Sequence, residues 1–175
     1  EHMRIEETKV YQYEELSDQA KEKVREWFGR DDPDYDWWDG TFYGANTIGL
    51  TITSFDLGNR KDIQGHLNIS VKQSCEKILK KHGPSCETYK LAEQWQAKSE
   101  ALDKAIAEHC ADDSDEERSR LEDEQEQNEK EYEYALLQEY FSILDNEYEY
   151  LTSDAQIEES IIANEYEFTE EGRII

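Results

Sequence analysis

The 175-residue chain has few of the residues that cross-link, bend or fill a large core: three cysteines, two prolines and one methionine. Hydrophobic residues make up only 36% of it, and the mean hydropathy is −1.03. No apolar run approaches the ~20 residues that span a bilayer, and no signal-peptide core follows Met3. We therefore expect a soluble, cytoplasmic protein without a membrane partner, in which Glu1 and His2 remain from cloning and Met3 is the natural start.

The cysteines do not form a metal-binding pattern. Cys75, Cys86 and Cys110 include no C-x-x-C pair, and their spacing from His82 and His109 matches no standard zinc site. Reduced structural thiols are typical of a cytosolic protein. We expect neither a metal nor a cofactor.

Sequence signatures of catalysis are also missing. The chain has no nucleophile elbow, P-loop, dinucleotide fingerprint or H-E-x-x-H motif. Carboxylates are so numerous that no single pair of them indicates acid–base chemistry. The sequence therefore predicts a binding protein rather than an enzyme, with no catalytic residues.

Acidic residues are what the chain has in excess, with 44 Asp and Glu against 19 Lys and Arg and a net charge of −25. Residues 112–175 hold 23 acidic and 4 basic residues, a net of −19, which leaves −6 for residues 1–111. A field of one sign attracts basic partners and disfavours direct binding of nucleic acid. Solvated helix faces are the alternative explanation.

The pattern of apolar residues predicts the α+β class: a small antiparallel sheet of about three strands packed against several helices, with a long acidic helical hairpin. Residues 49–57 and 66–71 read as an antiparallel pair, to which a strand over residues 4–13 adds a third. We expect one domain over residues 3–175, within which residues 85–131 form a helical hairpin arm or insertion.

Helix signals fill the rest of the chain. Ser17 is a predicted N-cap, and Gly40 and Gly44 weaken a second short helix that ends near Thr47. The sequence predicts further helices over residues 73–81, from residue 85 or 87 to about 111, from about 115 to 151, and after a cap at residues 153–154. A short extended segment follows at residues 166–168. The apolar end of the long helix is expected to pack on the sheet.

The segment Asp34-Tyr35-Asp36-Trp37-Trp38-Asp39 is unusual because it mixes acids with aromatics. One interpretation is a pair of core anchors flanked by helix-capping aspartates. The other is an interface patch, because Trp is typical of binding hot spots.

Several segments together resemble a known family. They are Val10-Tyr11-Gln12-Tyr13-Glu14-Glu15-Leu16-Ser17, residues 36–39 with 48–57, residues 82–83 with 86–90, and residues 147–153 and 164–170. The resemblance is to small acidic proteins of phages and prophages, loosely labelled antitoxins of toxin–antitoxin systems, a family that we take to include type II anti-CRISPR inhibitors of Cas9. It covers most of the chain except residues 101–130, which look like a variable insertion.

The resemblance implies a phage counter-defence protein that acts in the bacterial cytoplasm. It would bind a basic host effector, Cas9 with its guide RNA, and block DNA binding or cleavage. Carboxylates on a helix that rises ~1.5 Å per residue approach the charge spacing of DNA, ~1.7 Å per charge, so the protein would act as a DNA mimic. The acids expected to contact the partner are Asp145, Glu147, Glu149, Asp154, Glu158, Glu159, Glu165 and Glu167, with Asp36 and Asp39 as a second patch.

Two other functions fit the same charge. An antitoxin would neutralise a basic toxin, and an inhibitor of another defence nuclease, such as a restriction enzyme, would occupy a similar basic cleft. The sequence leaves the oligomeric state open, because its heptad pattern is poor.

Overall fold

A computed structural model describes residues 2–109 and 115–175. In chain order the elements are β1 (Tyr11–Gln12), α1 (Asp18–Phe28), α2 (Asp39–Thr47), β2 (Leu50–Asp56), β3 (Asp62–Leu67), α3 (Val71–Lys81), α4 (Glu87–Ala107), α5 (Glu116–Leu151), α6 (Asp154–Ala163) and β4 (Glu167–Phe168). The predicted α+β class is confirmed. The chain divides into two compact units, unit 1 (Glu1–Trp37 with Asn146–Ile175) and unit 2 (Trp38–Asp145).

Unit 1 is built from α1, α6 and the antiparallel pair β1–β4, in which Tyr11 faces Phe168. The predicted caps are confirmed: Ser17 Oγ accepts from the Ala20 N–H at 3.2 Å, and Ser153 Oγ accepts from the Gln156 N–H at 3.3 Å. The buried core of this unit comprises Tyr13, Leu16, Ala20, Val24, Ile161 and Phe168.

The predicted three-stranded sheet is wrong, because the strands form two separate pairs. Only Tyr11–Gln12 of the predicted strand over residues 4–13 is a strand, and it pairs with β4 instead of with β2–β3. Residues 4–10 are exposed, so the apolar side chains of their alternating pattern do not pack against a core. The return strand is Asp62–Leu67 rather than residues 66–71, because Ser70 forms a capping box with Gln73 and begins α3.

Unit 2 packs the β2–β3 hairpin, which has a register shift between Ile52 and Ser54, with α2 to α4 and most of α5. As predicted, the apolar part of α5 packs on the sheet. The Leu67 N–H donates to Glu133 Oε1 at 3.1 Å. A Cβ on Gly65 would lie 2.9 Å from Leu137 Cδ2 and 2.5 Å from the Thr51 carbonyl oxygen. Gly65 therefore allows close approach of helix and strand.

The predicted helical hairpin is formed by α4 and the first part of α5. The rings of Trp95 and Tyr132 lie 5.9 Å apart, and Gln125 Nε2 donates to Asp103 Oδ1 at 2.6 Å. Leu102 and Leu121 are buried, but the Nδ2 of the buried Asn128 has no partner. The hairpin is thus held by a thin apolar seam interrupted by polar groups.

Of the two cysteines that the structure describes, only the buried Cys75 fits the predicted structural role. Cys75 is buried and donates through Sγ to the Ala92 carbonyl at 3.2 Å, and burial raises its pKa to about 11. Cys86 is exposed, and Cys110 lies outside the described residues.

Two glycines predict opposite effects on stability. Gly65→Ala should lower the free energy of unfolding by about 1–3 kcal/mol, because the added methyl group meets backbone and Leu137. Gly44→Ala should raise it by ~0.5–1 kcal/mol, because it removes a helix-interior glycine and meets nothing within 4 Å. Urea unfolding monitored by circular dichroism measures both. A destabilised G44A would contradict the geometry of α2.

His82 predicts a pH-dependent stability. Burial, and secondarily the charge of Lys81, lower its pKa below the ordinary 6.5. Its Nδ1 lies 2.6 Å from Thr88 Oγ1. Between the lowered folded pKa and 6.5 the unfolded state binds more protons, so stability is full above pH 6.5 and falls as the pH drops through this window.

The test is the slope of unfolding free energy against pH between about 5.5 and 8. His82→Gln should flatten this slope. His66→Gln is the matched control, because His66 is exposed on β3, and it should retain the wild-type slope. Equal slopes for H82Q and the wild type would show that His82 is not the responsible group.

Candidate functional site

The predicted partner-binding acids are concentrated in unit 1. Eight of the ten lie there, whereas Asp39 and Asp145 belong to unit 2. Unit 1 has 21 acidic and 7 basic residues, a net charge of −14 in 67 residues. Unit 2 has 23 acidic and 12 basic residues, a net of −11 in 108. Charge density is therefore about twice as high in unit 1.

The loop of residues 31–37 lies against the C-terminal end of α5. The Tyr148 hydroxyl donates a hydrogen bond to Asp32, which raises the pKa of Tyr148. The Tyr148 ring also packs against Trp37, with centroids 5.8 Å apart. These contacts join Asp32 and Trp37 to Tyr148, whose neighbours in the chain are Glu147 and Glu149.

A cavity of about 390 Å³ lies at this junction. We call it the acidic groove. It is lined by the carboxylates of Asp31, Asp32 and Asp34 and by Phe28, Gly29, Pro33, Tyr35, Leu151, Thr152, Gln156, Ile157 and Ser160. No basic residue lines it. Its lining therefore combines three acidic residues with apolar and uncharged polar side chains.

Gly29 shapes this groove. It ends α1, with its N–H donating to the Arg25 carbonyl at 2.9 Å. A Cβ here would lie 3.0 Å from that carbonyl and 3.1 Å from Ile157 Cδ1. A larger residue would push α6 away from the end of α1, so glycine permits the close contact on which the groove is built.

The end of α5 has an unfavourable charge for a helix. Glu147 and Glu149 are exposed there, and no basic residue occupies the last turn. The C-terminal end of a helix dipole favours cations by ~0.3–1 kcal/mol per charge. Acids at this position reduce stability, so solvation of a stable helix face does not explain their placement.

The acids of α6 are not equivalent. Asp154 lies in the first turn, where the helix dipole favours an anion. The hydrogen bond from the Arg25 guanidinium to the Tyr13 hydroxyl, 2.8 Å long, is the largest influence raising the pKa of Arg25, and the charges of Asp154 and Glu158 add to it. These two carboxylates therefore lie close enough to Arg25 to be partly compensated, whereas Glu159 is exposed.

None of the ten predicted acids lines the groove. Glu165 follows α6 in a left-handed conformation with φ of 54°. Glu167 lies opposite Gln12 in the β1–β4 pair and is exposed. Asp36 is an exposed residue of the loop. The ten acids thus form several patches rather than one continuous row.

The groove aspartates were not among the ten predicted partner-binding acids. Asp34 belongs to the segment over residues 34–39, for which an interface patch was one interpretation, but Asp31 and Asp32, in the turn after α1, were missed. The clustering of acids around Pro33 was the available signal, but nothing in the sequence places this turn beside Tyr148.

The two tryptophans of the aromatic segment have different partners. Trp37 contacts Tyr148 in unit 1, whereas the Trp38 ring lies 5.8 Å from that of Phe55 in unit 2. Both are half-buried. Their contacts favour a role as packing anchors.

The groove can receive a cationic side chain. Lys and Arg pack their methylene stems on apolar surface while their charged ends reach polar groups, and carboxylates form strong charge-assisted hydrogen bonds with them. Among the described residues, no group of three or more His, Cys, Asp or Glu side chains is arranged to hold a metal ion. No described helix is long and apolar enough to cross a membrane.

Comparison of the chain with protein-family models, with curated proteins and with solved structures found no match.

Proposed function

We propose that this protein inhibits a nucleic-acid-handling defence effector by binding its basic cleft through unit 1. The observation that supports this most is the contact of the aspartate loop with the acidic end of α5. Two segments that are more than 100 residues apart in the chain meet there through the Tyr148–Asp32 hydrogen bond, and three aspartates of one segment cluster in the lining of the groove. Such an arrangement costs stability through repulsion and is understandable where a basic partner neutralises it.

The contact surface comprises the acidic groove and the adjacent Asp36, Glu147 and Glu149. A cleft that holds nucleic acid contains Lys and Arg side chains aimed at phosphates. The groove offers carboxylates and apolar surface to the same side chains. Binding of this kind excludes nucleic acid by competition, without any contact between the inhibitor and the nucleic acid.

Guide-loaded Cas9 is the first target to test. The family resemblance suggests it, and Cas9 holds its heteroduplex and displaced strand in positively charged channels. The proposed outcome is a block of target-DNA binding or of cleavage. A restriction enzyme or a basic toxin presents similar chemistry, and the same experiment distinguishes these partners from Cas9.

Charge reversal on the proposed contact surface should abolish most of the inhibition. The test variant replaces Asp34, Asp36, Glu147 and Glu149 with Lys, which leaves the Tyr148–Asp32 contact intact. Its affinity for guide-loaded Cas9 should fall at least about a hundredfold at 100 mM salt, since like-charge contacts cost several kcal/mol in an interface. Co-elution and a target-DNA binding assay measure the loss.

The matched control reverses four exposed acids of the hairpin, Glu93, Glu100, Asp123 and Glu129. It changes the net charge equally and should retain at least half of the inhibition. Equal losses in the two variants would show that net charge acts instead of the groove. If the unmodified protein binds no Cas9 at either 100 or 500 mM salt, the Cas9 assignment is wrong, and a defence nuclease or toxin becomes the target.

A further inference from the structure

Unit 1 contains another cavity, and its lining differs from that of the acidic groove because basic residues outnumber acidic ones. It has a volume of about 530 Å³, within the ~300–1,000 Å³ typical of small-molecule sites. Its apolar lining is Val24, Trp27, Phe28, Phe168 and Ile174, and its other lining residues are Lys23, Glu171, Gly172 and Arg173. We call it the apolar cavity.

One wall of this cavity is a tight turn near the C-terminus. Thr169 and Arg173 close it, with the Thr169 N–H donating to the Arg173 carbonyl at 2.8 Å. Gly172 has φ of 90°, and a Cβ on it would lie 2.8 Å from the Ala20 carbonyl oxygen. The turn thus rests on α1 through a glycine that no other residue replaces without strain, and this contact fixes the cavity.

The opposite wall is aromatic and partly open to solvent. The rings of Trp27 and Phe28 meet edge to face at 5.0 Å, and those of Phe28 and Phe168 at 6.5 Å. Phe168 is buried, but Trp27 is 51% exposed. A ligand that enters the cavity can therefore cover the indole without displacing core residues.

The charge of the lining indicates the head group of the ligand. Two cations, Lys23 and Arg173, and one acid, Glu171, line the cavity. Unit 1 as a whole has three acids for each base, so this lining reverses the sign of its surroundings. Two cations beside an aromatic wall complement an anionic group on an apolar body.

We propose that the apolar cavity binds a small apolar carboxylate, such as a medium-chain fatty acid. A second copy of this chain is a poor occupant, because two molecules of net charge −25 repel each other. Nucleic acid lacks the apolar body. This site does not depend on the function proposed for the acidic groove, and its test involves no effector.

The test is a titration of the intact protein with decanoate, observed through the indole N–H signals in two-dimensional NMR. The Trp27 signal is the one that disappears in Trp27→Phe. Decanoate should shift it saturably with one-to-one stoichiometry, and decanol and decylamine, which match the chain but not the charge, should bind at least about tenfold more weakly. Decanoate should also displace the fluorescent probe anilinonaphthalene sulfonate.

A double variant examines the head group. Lys23→Glu with Arg173→Glu should weaken decanoate binding at least about tenfold. Lys9→Glu with Arg30→Glu is the matched control, because it makes the same charge change in unit 1 at residues that do not line the cavity, and it should bind as the wild type does. Near-ultraviolet circular dichroism confirms that both variants are folded. An unmoved Trp27 signal, equal binding of decanol, or equal effects of the two double variants would refute the proposal.

Discussion

Repulsion among 44 carboxylates that are opposed by only 19 basic groups is the constraint on which the rest of this structure depends. Each acid placed near another lowers stability unless a cation, a helix N-terminus or water compensates it. Much of the hairpin meets this condition locally: Arg120 binds Glu117 and Glu124 on its own helix, and Arg118 binds Glu122. Exposed ion pairs of this kind contribute little stability individually, but together they offset part of the negative charge of α5.

Unit 1 does not follow this rule where the aspartate loop meets the end of α5. There the compensation is hydrophobic and aromatic rather than ionic. Tyr148 holds the two segments together through a hydrogen bond to Asp32 and a ring contact with Trp37. A cluster of carboxylates that aromatic contacts hold in place is preorganised, because its geometry is set before any partner binds. A basic partner of the proposed kind would meet carboxylates that are already fixed, which would lower the entropic cost of binding.

Sequence reasoning succeeded where the signal is local. Ser17 and Ser153 cap helices as their position before an apolar stripe indicates, and the bounds of α5 follow from its composition. It failed where the outcome depends on distant partners. The alternation of residues 4–13 is compatible with a strand, but only two residues find a partner, and that partner, β4, is more than 150 residues away. Asp31 and Asp32 of the groove were missed for the same reason, since a turn becomes part of a site only when α5 and α6 reach it.

The acidic groove and the apolar cavity share one side chain, Phe28, yet they depend on different forces. Attraction between the acidic groove and a basic partner is screened by salt, with a Debye length of ~10 Å at 0.1 M. Burial of an alkyl chain beside Trp27 is driven by removal of apolar surface from water, which salt does not screen. Raising the ionic strength therefore distinguishes the two sites. It weakens ionic contacts at the acidic groove but leaves most of the apolar contribution to binding in the apolar cavity. A uniform loss of both with salt would mean that charge, rather than the shape of either cavity, governs what unit 1 binds.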